Sequence, residues 1–122
     1  MKILVVDDSS TMRRIISNIL KSTGHDDIVE AGDGVEALAA LQANTDVKLI
    51  LTDWNMPNMN GLDFMIKVRE TDKATPIVMI TTEAEKQNVV TAIKAGANNY
   101  IVKPFTPDTI KDKLSSFLKE PQ

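Results

Sequence analysis

Short unbroken apolar runs alternate along this chain with longer segments in which apolar residues recur every three or four positions. A short run bounded by turn residues is typical of a buried strand, and the longer spacing is typical of a helix with one buried face. The runs predict five strands, over Ile3–Val6, Asp27–Ala31, Lys48–Thr52, Ile77–Ile80 and Tyr100–Val102.

A helix is predicted after each strand, with ends at residues that suit a helix terminus. In chain order the helices begin at Ser9 or Ser10 and stop at Gly24, follow the turn Gly32–Gly34, begin near Gly61, span Glu83–Ala95 before Gly96, and begin with Thr106 as N-cap and Pro107 as first residue. The helical positions expected to face the core are Met12, Ile15, Ile16, Ile19, Leu20, Val35, Leu38, Leu41, Leu62, Met65, Ile66, Val68, Ile110, Leu114, Phe117 and Leu118.

The strands end near positions 7, 31, 53, 81 and 103, which are 22 to 28 residues apart. That interval fits one strand plus one crossover helix, so the alternation predicts an α/β fold with helices on both faces of a parallel sheet. Of the two common doubly wound orders, the five-stranded one is 2-1-3-4-5, the flavodoxin-like (βα)5 arrangement, which we adopt by analogy. We expect residues 1–122 to form a single domain.

Polar residues stand where four of the predicted strands end. The carboxyl ends of parallel strands meet at one edge of the sheet, where open α/β sheets place their ligand sites. In the adopted order strand 1 lies beside strand 3, and the winding of the sheet reverses between them. Asp7 and Asp8 would therefore face Asp53 across this point. The residues brought to this edge are Asp7, Asp8, Asp53, Thr81 and Lys103.

The composition excludes several classes of function. The net charge of −3 provides no basic surface for nucleic acid or for a membrane, and without cysteine there is no disulfide framework, thiolate metal site or thiol nucleophile. The run Ile3–Val6 is too short for a signal peptide or a membrane span. We therefore expect a cytoplasmic protein that binds neither nucleic acid nor membrane.

The residues at the sheet edge have the chemistry of a phosphoryl-transfer site. Three close carboxylates repel one another unless a cation lies among them, and their hard oxygen atoms favour Mg2+. Lys103 suits a second anion such as phosphate, and the Thr81 hydroxyl suits one of its oxygens. No glycine-rich loop for a nucleotide follows the first strand. Asp53, a carboxylate nucleophile on a central strand, is therefore the best-placed phosphoryl acceptor.

Five short motifs together resemble the receiver domain of two-component response regulators. The resemblance covers the whole chain, with the motifs in the family's order and spacing. In particular, it resembles receivers that act alone in chemotaxis. The motifs are Val6-Asp7-Asp8, Asp53 before Met56-Pro57, Gly61, Ile80-Thr81, and Lys103-Pro104-Phe105.

The resemblance implies a role for each matching residue. Asp53 would accept phosphate from a sensor histidine kinase. Asp8, Asp53 and the backbone carbonyl of Asn55 would bind Mg2+ directly, while Asp7 would act through water. Thr81 and Lys103 would contact the phosphoryl group, and Tyr100 would swing inward when Thr81 moves. The Lys103-Pro104 peptide bond would be cis.

Two positions depart from the pattern expected for the chemotaxis type. Thr82 stands where a smaller alanine is usual, beside the phosphorylation pocket. Its extra bulk would restrict the attacking water and lengthen the phosphorylated lifetime, so we treat Thr82 and Asn55 as tuning residues. Asn60 replaces a common aspartate before the glycine, but it caps the third helix equally well.

The function that the resemblance implies is a phosphorylation-controlled switch. The chain would be a monomeric receiver with no output domain, and not a turnover enzyme, although it assists its own phosphorylation and dephosphorylation. Its activated surface, formed by the fourth helix, fifth strand and fifth helix, would bind the flagellar motor switch protein, with a phosphatase as a further partner. The alternatives are a receiver of another pathway, acting alone, as a phosphate sink or as a fragment of a transcription factor.

Two further classes of function are disfavoured by particular residues. A Mg2+-dependent aspartyl-phosphate phosphatase needs an acid/base aspartate two residues after the nucleophile, and Asn55 stands there. A flavodoxin-like cofactor binder needs a phosphate-binding loop after the first strand, and the sequence has none.

Overall fold

Strands and helices alternate along residues 1–118, the part of the chain that this computed structural model describes. Residues 119–122, the end of the predicted single domain, lie outside the described residues. The elements are β1 (Lys2–Val6), α1 (Ser10–Ser22), β2 (Ile28–Ala31), α2 (Gly34–Ala43), β3 (Val47–Thr52), α3 (Gly61–Arg69), β4 (Ile77–Thr81), α4 (Lys86–Ala95), β5 (Asn99–Val102) and α5 (Pro107–Leu118).

The strands form one parallel sheet in the order β2-β1-β3-β4-β5, which confirms the predicted doubly wound fold. Val6 pairs with Thr52 across β1 and β3, and Thr52 pairs with Met79 across β3 and β4. The Asp53 N–H donates to the Val6 carbonyl at 2.9 Å, extending this pairing past the end of β3. The residues that follow β1 and β3 are therefore neighbours at the carboxyl edge.

Two separate cores lie on the two faces of the sheet. Successive strand residues point to opposite faces, so Leu4 packs on the face covered by α2, α3 and α4, whereas Ile3 and Val5 pack on the face covered by α1 and α5. Because both faces are covered, the inner strands are apolar throughout rather than alternating. This explains the unbroken runs in the sequence.

Three helical residues predicted to be buried are exposed instead: Ile15 (42%), Val35 (52%) and Ile66 (46%). A helix presents only a stripe to the sheet, and a neighbouring position can fill that stripe. Ala37 of α2 and Phe64 of α3 are fully buried, so they take core positions that the prediction did not assign to them.

Most predicted helix ends are confirmed, and the largest difference is at α4. The structure begins α4 at Lys86 rather than at the predicted Glu83, because Glu83 belongs to the loop that follows β4. In α5, the Thr106 hydroxyl accepts from the Thr109 N–H at 3.1 Å, as expected for the predicted N-cap. The later start of α4 is important for the site, where Glu83 has several contacts.

Candidate metal and phosphoryl site

The carboxylates of Asp7, Asp8 and Asp53 converge at the carboxyl edge of the sheet. One oxygen atom from each lies within 4.8 Å of the others. The Lys103 ammonium group, which follows β5, reaches the same point and donates to Asp7 Oδ2 at 2.7 Å and to Asp53 Oδ2 at 3.0 Å. The structure thus brings together the four charged residues that the sequence placed at this edge.

Two of the three carboxylates are buried and fixed by hydrogen bonds. Asp7 is 2% exposed and Asp53 is 8% exposed, whereas Asp8 is open to solvent. The second oxygen of each buried group is held by backbone, since Asp7 Oδ1 accepts from the Ser9 N–H at 2.9 Å and Asp53 Oδ1 accepts from the Trp54 N–H at 2.7 Å. These bonds set the orientation of both carboxylates.

Burial and hydrogen bonding shift the pKa values of Asp7 and Lys103 in identifiable directions. Burial raises the pKa of Asp7 above its usual value, although hydrogen bonds from Lys103 and Ser9 oppose the rise. For Lys103, burial acts to lower the pKa, but the hydrogen bonds to Asp7 and Asp53 outweigh it and the net shift is upward. Lys103 is therefore a permanent cation at physiological pH.

The donor set fits a small divalent cation. Mg2+ binds oxygen at about 2.0–2.1 Å in octahedral geometry, so ligands on opposite sides are about 4 Å apart. Three carboxylate oxygens within 4.8 Å are close to that spacing, and the exposure of Asp8 leaves room for the water ligands that Mg2+ retains. Asp7, Asp8 and Asp53 are the residues suited to hold the ion.

Three of the remaining predicted residues, Thr81, Asn55 and Tyr100, form hydrogen bonds with Glu83. Thr81 is fully buried at the end of β4, and its hydroxyl accepts from the Glu83 N–H at 3.3 Å. The Asn55 side chain donates to Glu83 Oε1 at 2.8 Å, and the hydroxyl of Tyr100, which is 6% exposed, donates to the Glu83 carbonyl at 2.5 Å. Thr82 is exposed on the surface.

Glu83 is the residue of this region that sequence reasoning missed. It joins the loop after β3, the end of β4 and Tyr100, and its Oε2 accepts from the Asn88 side chain at 3.2 Å. An acidic residue at the predicted start of a helix is expected to be an ordinary residue of the first turn. Because α4 was predicted to begin at Glu83, its contacts as a loop residue were not expected. No local signal in the sequence distinguishes the two readings.

Gly61 sets the position of the Asp53 backbone. A Cβ atom on this glycine would lie 1.8 Å from the Asp53 carbonyl oxygen, and the Gly61 N–H donates to the Trp54 carbonyl at 2.8 Å. The helix that begins here is capped by Asn60, whose side chain accepts from the Asp63 N–H at 2.8 Å, as predicted. On the other side of the site, the Lys103-Pro104 bond is cis, also as predicted.

The fold and the acidic edge define the class of this protein. The model of the response regulator receiver domain matches residues 3–115, and the chain belongs to that family. It is CheY-like, and a receiver of this type is a signalling protein rather than a classical turnover enzyme. Its relatives include chemotaxis protein CheY1 of Helicobacter pylori, which is 61% identical over 120 residues, covering 97% of both chains.

Two further comparisons agree with this assignment. A chemotaxis protein CheY homolog of Campylobacter jejuni is also 61% identical over 120 residues, covering 97% of this chain and 92% of the relative. The solved CheX-CheY complex of Borrelia burgdorferi with BeF3 and Mg2+ contains a similar chain, with a TM-score of 0.91 and 29% identity, covering 98% of this chain and 90% of that chain.

Within residues 1–118, no helix is long and apolar enough to span a membrane.

Proposed function

We propose that Asp53 accepts a phosphoryl group from the phosphohistidine of a sensor kinase, and that this modification controls the binding of the flagellar motor switch protein. The observation that carries the proposal is the pair of buried carboxylates, Asp7 and Asp53, that share the single ammonium group of Lys103. Packing does not require such a cluster, since buried charges cost free energy even when they are paired.

The proposed transfer is a single displacement at phosphorus. A carboxylate oxygen of Asp53 attacks the phosphorus atom, the P–N bond to the histidine breaks, and its electron pair stays on the imidazole nitrogen. The product is an acyl phosphate on Asp53. Lys103 then donates to a phosphoryl oxygen in place of the carboxylates, and the Thr81 hydroxyl donates to another.

The charge of the cluster supports a requirement for a divalent cation. With all groups ionised, three carboxylates and one ammonium group sum to −3 + 1 = −2, which repels a phosphodonor. Mg2+ would cancel this charge and help to neutralise the charge of the transferred group. Asp8, Asp53 and the backbone carbonyl of Asn55 would hold the ion directly, and Asp7 through water. The Borrelia complex contains Mg2+ together with BeF3.

The response to phosphorylation is proposed to pass through Thr81 and Tyr100. The phosphoryl group draws the Thr81 hydroxyl towards Asp53 and favours the inward position of Tyr100, in which its hydroxyl bonds to the Glu83 carbonyl. The phosphoryl group can shift the equilibrium between the two conformations only by the difference between its interaction free energies with them. Exposed apolar residues on α4 and β5 support a binding face there: Val90, Ile93 and Val102.

Trp54 provides a direct test of phosphorylation because it is the only tryptophan, directly follows Asp53, and donates its backbone N–H to Asp53 Oδ1. We expect its fluorescence to change on addition of Mg2+, and to change again with a small-molecule phosphodonor such as acetyl phosphate. Asp53→Asn, which removes the nucleophile but keeps the shape, is the matched control. No response in the original protein, or an undiminished phosphodonor response in the variant, would disprove the proposal.

The partners are tested by pull-down with and without phosphodonor. We expect the motor switch protein to be retained only by the phosphorylated form of the receiver. In separate assays, we expect the sensor kinase to phosphorylate the receiver and a phosphatase to dephosphorylate it. Retention of a different output protein would assign the receiver to another two-component pathway. Steady turnover of a phosphate ester without label on Asp53 would instead indicate a phosphatase.

A further inference from the structure

The loop that connects β3 to α3, residues 54–60, is held at its base and at its apex, and the Asn55 side chain also bonds to Glu83. We call this segment the acceptor loop, because it directly follows Asp53. Its two ends are joined by the bond from the Gly61 N–H to the Trp54 carbonyl. Its apex, at Asn58 and Met59, contacts α2, which is far away along the chain. Asn55 lies between these two attachments.

The apex is attached to the first turn of α2 by side-chain and backbone contacts. Asn58 Nδ2 donates to Asp33 Oδ2 at 2.7 Å, and the Gly34 N–H donates to the Met59 carbonyl at 3.0 Å. The approach is close, since a Cβ on Gly34 would lie 2.7 Å from the Met59 side chain. Asn58 has a φ of 65°, a left-handed conformation that few residues other than glycine adopt readily.

The Asp33 carboxylate serves two elements at once. It is buried, and while Oδ2 accepts from Asn58, Oδ1 accepts from the Glu36 N–H at 2.8 Å and so caps α2. The bonds from Glu36 and Asn58 lower its pKa, so the group is ionised at neutral pH. A rigid helix terminus thereby holds the left-handed apex of the acceptor loop.

We propose that Asp33 is a positioning residue for the metal site, acting through Asn58. The inference rests on the proposed function, in which the backbone carbonyl of Asn55 is a metal ligand. Because the loop is short and is held at its base and its apex on either side of Asn55, we expect the position of that carbonyl to depend on the apex contact, in addition to the bond between Asn55 and Glu83. Residues that orient metal ligands from outside the site typically change metal affinity by about 10- to 100-fold when they are altered.

A double-mutant cycle separates this role from the cap. Asn58→Asp places two carboxylates in contact but retains a residue type that accepts the left-handed conformation. Asp33→Asn keeps an oxygen for the cap, since Asn and Asp cap equally well, and Asn58 can rotate its amide to restore the bond. The double variant exchanges donor and acceptor, and its net charge equals that of the original protein.

Two measurements are made on all four proteins, with thermal unfolding as a check on the fold. Mg2+ affinity is measured by Trp54 fluorescence, and amide hydrogen exchange of Asn55, Met56, Asn58 and Met59 is measured by NMR without metal. We expect Asn58→Asp to bind Mg2+ about 10-fold more weakly and to exchange faster in the acceptor loop. We expect Asp33→Asn and the double variant to remain within about threefold of the original protein.

The outcomes distinguish the two proposals. Unchanged Mg2+ affinity in Asn58→Asp, or a loss that the double variant does not reverse, would overturn the role of Asp33. If the original protein did not bind Mg2+, the proposed function would fail, and loop exchange would by itself decide only whether Asp33 positions the acceptor loop. Faster exchange in Asn58→Asp that is reversed in the double variant would then support it, and equal exchange would refute it.

Discussion

Replacement of Gly61 by alanine should displace Asp53, the proposed phosphoryl acceptor, without changing any charged group. The added Cβ would lie 1.8 Å from the Asp53 carbonyl oxygen, whereas such contacts are essentially never shorter than 3.0 Å. Asp53 and the start of α3 must therefore separate by at least 3.0 − 1.8 = 1.2 Å. That movement also disrupts the hydrogen bond from the Gly61 N–H to the Trp54 carbonyl.

The energetic cost follows from three contributions. Overpacking typically costs about 1–3 kcal/mol, and the lost hydrogen bond costs about 1 kcal/mol. Alanine returns about 0.5–1 kcal/mol through its better helix propensity. The net destabilisation is about 2 kcal/mol, which for a domain of this size lowers the Tm by about 8 °C. A displacement of about 1 Å at a reacting group costs about 100-fold in rate.

The assay is the rate of Asp53 phosphorylation by acetyl phosphate, measured beside thermal unfolding. Gly24→Ala is the matched control: Gly24 has a φ of +90° but open space around it, so its replacement strains the backbone far from the site. We expect both variants to lose stability and only Gly61→Ala to lose phosphorylation rate. Equal rates in the two variants would show that the close contact at Gly61 does not control the reactivity of Asp53.

Four further predictions concern single residues. Burial raises the pKa of Tyr100, the only tyrosine, to about 12; its absorbance should show no tyrosinate at pH about 10, and the stability it contributes should disappear as pH rises towards 12. Burial raises the pKa of Asp7, so the folded state favours its protonated form. The contribution of Asp7 to stability is therefore present at low pH and is lost as pH rises through the raised pKa. Asp7→Asn should stabilise the protein by about 1 kcal/mol at neutral pH in urea unfolding, and it should weaken Mg2+ binding. Arg69→Met removes donors to the Gly96 carbonyl and should cost about 2 kcal/mol in urea unfolding with no change in phosphorylation rate. Thr82→Ala should shorten the phosphorylated lifetime, and an unchanged dephosphorylation rate would contradict the tuning role.

The fold was predictable because the apolar runs and the spacing between them do not depend on the exact ends of the strands and helices. Unbroken apolar runs separated by one helix length specify a parallel sheet covered on both faces, and end shifts of one to three residues leave that conclusion intact. The burial of single helical residues was less predictable. Ile15 and Ile16 are consecutive, so periodicity alone does not decide which of them faces the sheet, and only Ile16 is buried.

The charged residues of the site were also predictable, but their supports were not. Asp7, Asp53 and Lys103 stand out because charges directly follow apolar strands. The contact of Asp33 with Asn58 joins two segments 25 residues apart, and no pattern in a single sequence reports that their side chains meet. It depends on how α2 and the acceptor loop pack on one face of the sheet.

This difference has a physical origin. Asp7 and Lys103 conflict with the folding preferences of their surroundings, because burying them costs free energy that only partners offset, and such a conflict is visible in the sequence. Asn58 and Asp33 satisfy local preferences, one as a turn residue and the other as a helix cap, so their local role fully explains their presence. A second role for such a residue emerges only from its tertiary contact, as when Asp33 holds both α2 and the acceptor loop. Further determinants of this site's geometry should therefore be sought among capping and turn residues that touch that loop.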